Sequence, residues 1–61
     1  MMFTDTEKLE CARREVKQRE HVYPRRVEAG QMSQALADRQ IALMKSIADD
    51  YEKLAEKERL L

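Results

Sequence analysis

From Arg13 to Arg26 the chain carries six basic side chains, Arg13, Arg14, Lys17, Arg19, Arg25 and Arg26, against two carboxylates, Glu15 and Glu20. The rest of the chain offsets them, since the sequence holds 12 basic and 12 acidic residues and has an isoelectric point near 6.6. Such a run can track the phosphates of a nucleic acid or meet an acidic protein surface. At about 100° per residue, Arg14, Lys17, His21 and Arg25 fall on one side of a helix. The plainer reading is a solvated face, braced by Glu10 with Arg14 one turn apart and by acids on a neighbouring helix. No overall positive field and no helix-turn-helix support nucleic-acid contact through Arg13, Arg14, Lys17, Arg25 and Arg26. It therefore ranks behind contact with a protein.

The remaining reactive side chains do not assemble into a catalytic pattern. The single Cys11 and the single His21 lie almost three helical turns apart, too far for an activated thiolate pair. They are too few for a structural zinc site, and one cysteine cannot close an internal disulfide. Asp49, Asp50 and Glu52 suggest a divalent cation, but adjacent helix residues splay about 100° apart and chelate together poorly. There is no glycine-rich phosphate loop and no hydrolase or metalloprotease signature. The expectation is a protein that is not an enzyme, with no cofactor and no metal.

What positions these residues is helix throughout. Ala, Leu, Glu, Lys, Arg, Gln and Met dominate, with one Gly and one Pro, and no segment alternates as a strand does. Thr4 with Glu7 fits a capping box, so a first helix begins near Asp5 and only Met1 to Phe3 fray. Gly30 supplies a left-handed cap and Ser33 an N-cap for a second helix. The spacing predicts a first helix over about 5–29, a turn at 30–32 and a second helix over about 33–60, each arm roughly 40 Å long. Pro24 removes a backbone donor inside the first arm and is expected to kink it, with a short helix resuming at Pro24; the alternative is a longer loop. Residues 1–61 then form one all-α domain, an antiparallel two-helix hairpin whose corner is set by Tyr23, Pro24, Gly30 and Ser33.

The second helix gathers Leu36, Ala37, Ile41, Leu43, Met44, Ile47, Ala48, Tyr51, Leu54 and Ala55 on one arc spanning roughly half its circumference. A helix with one neighbour needs only a narrow seam, so this arc implies at least two neighbours. The first helix offers a thinner stripe, Leu9, Ala12, Val16, Tyr23 and Val27, interrupted near Arg19 and Glu20. We expect a homo-oligomer, most simply a dimer, in which Leu36, Ile41, Leu43, Met44, Ile47, Tyr51 and Leu54 form the interface. The second helices would meet at the centre of a four-helix bundle. The rival is a groove of the same shape filled by a different protein. Met44 reads as core packing, Met32 as a staple beside the turn, and Val22, Tyr23 and Val27 as the seal of the closed end.

Size points the same way. Sixty-one residues bury too little surface to be stable without a disulfide, a metal or a partner, and only the partner is left. An unpaired cysteine suits a reducing compartment, and neither a signal peptide nor a membrane span is legible, so the cytoplasm is the expected location. The pattern of Val22 to Arg25 with Val27, Gly30 with Met32, Ala37 to Met44, and Asp50 with Tyr51 resembles a family of short helical proteins encoded in bacterial genomes, often within prophages. The resemblance covers roughly two thirds of the chain. It implies a small accessory or regulatory protein that binds host or phage machinery, and it transfers no catalytic residue.

Overall fold

A computed structural model describes residues 2–60; Met1 and Leu61 lie outside the described residues, including the part of the expected fraying that falls on Met1. Two helices, α1 (Asp5–Glu28) and α2 (Gln34–Leu60), pack side by side as an antiparallel hairpin whose longest dimension is 47 Å. The start of α1 is fixed by the full capping box. The Thr4 hydroxyl accepts from the Glu7 amide at 3.1 Å, and the Glu7 carboxylate accepts from the Thr4 amide at 3.1 Å. A second carboxylate reaches this end from the far end of the chain: Glu58 accepts from the Thr6 amide at 3.0 Å. Two first-turn donors that a helix leaves open are thereby satisfied, and the two termini of the hairpin are tied together.

The corner follows from backbone chemistry. Gly30 adopts φ 75, and on either side of it the Gly30 amide donates to the Val27 carbonyl and the Gln31 amide to the Arg26 carbonyl, at 3.0 and 2.8 Å. These two bonds make a Schellman cap, which requires a residue in the left-handed region, where glycine alone carries no Cβ penalty. The Ser33 hydroxyl then accepts from the Leu36 amide at 3.1 Å and starts α2.

Pro24 does not end the first helix: α1 is unbroken from Asp5 to Glu28, with neither a loop nor a fresh start at Pro24. The ring deprives the Glu20 carbonyl of its helical donor. Tyr23 and Val27, on either side of the proline, are both half-buried. Packing on both flanks outweighs one lost bond, because most helical stability in proteins is tertiary.

The seam between the helices is narrow and built from small residues. Leu9 and Ala12 of α1 and Ala37, Ala48 and Ala55 of α2 are buried, and among the described residues no side chain is completely enclosed. Val16, Arg19, Tyr23, Ile41, Met44 and Tyr51 complete it as half-buried neighbours. Along α2 the order Ala37, Ile41, Met44, Ala48, Tyr51, Ala55 steps by four and three residues in alternation, the spacing of an a/d seam facing one partner helix. The alanines let the backbones approach closely; for the same reason they contribute little apolar area per residue.

Candidate interaction surface

The broad apolar arc of α2 resolves into two parallel seams. One faces α1. The other, Leu36, Leu43, Ile47 and Leu54, lies about a quarter-turn away and faces solvent, with 45%, 51%, 38% and 41% of each residue exposed. Of the seven residues expected at an oligomer interface, Ile41, Met44 and Tyr51 thus belong mainly to the intramolecular seam, where they are half-buried. Leu36, Leu43, Ile47 and Leu54 are available to a partner. The wheel gave the arc its width, but only the position of α1 shows which half is already covered.

A shallow groove joins the two seams, lined by Lys8, Cys11, Ala12 and Glu15 from α1 and Met44, Ile47 and Tyr51 from α2. The Lys8 ammonium stands 5.7 Å from the centre of the Tyr51 ring on this edge. The opposite edge of the hairpin is polar. There Arg13 pairs with Glu52 at 3.4 Å and Lys45 with Glu20 at 3.5 Å. The hairpin is therefore two-sided: one edge carries the ion pairs that cross between the helices, and the other carries the exposed aliphatic line of α2.

Scattered exposed leucines are ordinary on a protein surface. Four large aliphatic residues in one line along a single helix are a patch, and patches of this kind mark contact surfaces. The whole chain exposes 5034 Å², against about 4,100 Å² for a compact monomer of 7.2 kDa. The excess of roughly 900 Å² reflects the elongated shape of a two-helix hairpin, 47 × 19 × 17 Å.

The basic residues divide into two sets. Arg13 is held by Glu52, and Arg26 lies over the Tyr23 ring at 5.9 Å from its centre. Arg14, His21 and Arg25 are exposed on the side of α1 turned away from α2, Lys17 is exposed at the polar edge between the helices, and among the described residues none of them forms an ion pair. The expected Glu10 to Arg14 brace is absent among the described residues; the one pair within a helix is Glu15 with Arg19. The bracing acids come instead from across the hairpin.

Arg19 is the residue that sequence reasoning missed. It occupies the place where the apolar stripe of α1 was expected to break, and its side chain is 21% exposed. Its Nε donates to Glu15 and its Nη1 to the backbone carbonyl of Gln40 on α2, both at 2.9 Å. The guanidinium also stacks toward Tyr23 at 5.8 Å. The signal was its position: Leu9, Ala12, Val16, Arg19 and Tyr23 keep the seam spacing, and an arginine can bury its stem there while its fork finds acceptors.

Among the described residues no helix is long and apolar enough to cross a membrane, and no group of three or more His, Cys, Asp or Glu side chains is arranged to hold a metal ion. No protein-family model matches the chain, and no curated protein or solved structure is significantly similar to it.

Proposed function

We propose that this chain is a non-enzymatic protein-interaction module that self-associates through α2 and offers the outer face of α1 to another protein. The observation that carries the reading is the solvent-facing line Leu36, Leu43, Ile47 and Leu54 on a hairpin that buries little of its own apolar surface. Two such hairpins joined along α2 make a four-helix bundle with α1 of each copy on the outside. The resemblance carried by Val22 to Val27 and Ala37 to Met44 implies a small accessory or regulatory role in a bacterial or prophage setting, working in the cytoplasm on a host or phage protein. The test is Ile47→Glu, which places a charge in the centre of the line. Light scattering coupled to gel filtration should report twice the chain mass for the wild type and the single-chain mass for the variant. A wild-type monomer, or a variant that keeps its partner, would remove the basis of the reading.

A second reading rests on the exposed basic stripe of Arg14, Lys17 and Arg25, which together with Arg13 and Arg26 would make the module a nucleic-acid-binding regulator. Its signature is binding to duplex or single-stranded DNA that weakens steeply with salt and is lost in Arg14→Glu with Lys17→Glu. No binding at low salt ends it.

A further inference from the structure

We infer that the occupant of the open α2 face is a second copy of this chain docked antiparallel, with the two-fold axis at the level of Lys45. The inference rests on the self-association proposed above and adds its direction, its register and the residues that select both.

The open seam steps through Leu36, Gln40, Leu43, Ile47, Asp50 and Leu54, alternating four and three residues. It is symmetric about position 45. Laid against itself in reverse, it sets Leu36 opposite Leu54 of the second copy, Leu43 opposite Ile47, and Gln40 opposite Asp50, and each match occurs twice. All four aliphatic positions meet aliphatic positions, and the two polar positions meet each other.

Charge selects the same arrangement. Arg39 and Asp50 sit on the same flank of the open seam, both exposed, and among the described residues neither is in an ion pair. In the antiparallel register Arg39 of one copy lies within one residue, about 1.5 Å along the axis, of the level of Asp50 in the other. The two-fold generates this pair twice, and Gln40 supplies an amide to the same carboxylate. A parallel, in-register pair would instead bring Asp50 against Asp50 in the seam, where two like charges repel while being desolvated. The quarter-turn between the covered and the open seams of α2 also suits a helix at the corner of a four-helix bundle, with α1 on one side and the second α2 on the other. The two turns, each with Arg25 and Arg26, then project from opposite ends of the assembly.

The test uses the full chain carrying Cys11→Ser, with a nitroxide spin label attached at Lys57→Cys, an exposed site outside the matched residues. The antiparallel register separates the two labels by 24 residues, about 36 Å along the axis, whereas parallel helices hold them within about 20 Å. A charge exchange tests the selecting pair in parallel. Arg39→Glu and Asp50→Lys should each raise the dimer dissociation constant about tenfold, and the double exchange should return it to within about threefold of the parent. Circular dichroism on each variant separates loss of pairing from loss of helix. A distance near 36 Å with rescue by the double exchange supports the register. A short distance, no rescue, or a tighter dimer in Asp50→Asn overturns it while leaving self-association standing. A labelled chain that stays monomeric, or that pairs only with a different protein, overturns both this inference and the reading beneath it.

Discussion

Truncating Arg19 to alanine is the sharpest perturbation of the hairpin itself. Its Nη1 donates to the Gln40 carbonyl at 2.9 Å, which couples the middle of α1 to the backbone of α2. A hydrogen bond from a charged donor contributes roughly 1.5–3 kcal/mol, and the lower end applies because Arg19 is partly exposed and Gln40 is placed to keep its helical bond. The pair with Glu15 adds about 0.3–0.5 kcal/mol and the guanidinium over Tyr23 about 0.5–1 kcal/mol. Non-additivity trims the total, and loss of the buried stem raises it, giving about 2–3 kcal/mol for Arg19→Ala. Arg19→Met keeps most of the stem but loses all three polar contacts, so it should lose most of that amount, and its difference from alanine measures the stem. Arg14→Ala, on the solvated outer face, should stay within about 0.5 kcal/mol of the wild type. The assay is urea unfolding followed by circular dichroism at one fixed protein concentration, since association shifts apparent stability. Equal stability of the Arg19→Ala and Arg14→Ala chains would refute the assignment of Arg19 as the link between the helices.

Three further substitutions probe the corner and the seam. Gly30→Ala puts a Cβ on a residue at φ 75 with nothing within 4 Å of it, so it should cost about 1–2 kcal/mol from backbone strain alone in the same urea assay. Ser33→Ala removes the N-cap of α2 and should cost about 1 kcal/mol, with the loss of amide exchange protection concentrated at Leu36 and Ala37. Ala48→Leu enlarges a buried position of the seam and should destabilise by about 1–3 kcal/mol. Ala42→Leu, at an exposed position of the same helix, should be close to neutral in thermal unfolding.

The start of α1 and the corner were legible because their determinants are local. A capping box needs Thr4 and Glu7 three apart, a left-handed cap needs Gly30, and an N-cap needs Ser33. Each is read from one residue type at one place, and each stands where expected. Pro24 was less legible because its local preference competes with packing of Tyr23 and Val27, which no local rule weighs. The helix continues for that reason. Arg19 was hidden by its own chemistry, since a hydropathy pattern treats a guanidinium as a gap even when its stem fills the seam. The division of the α2 arc into covered and open halves was hidden by geometry. Periodicity fixes how many residues face inward, whereas which of them face α1 depends on the quarter-turn of phase between Ala37, Ala48 and Ala55 on one side and Leu36, Leu43 and Leu54 on the other. Once that phase is known, the basic stripe also finds its place, on the outer side of α1 and away from the seam.

Self-association through α2 is tested most directly by sedimentation equilibrium of the unmodified chain over a concentration series, with helicity recorded on the same samples. The expected result is a reversible transition from 7.2 kDa to twice that mass, with unfolding temperature rising as the dimer fills. A chain that remains fully helical at its single-chain mass into the high micromolar range would contradict it.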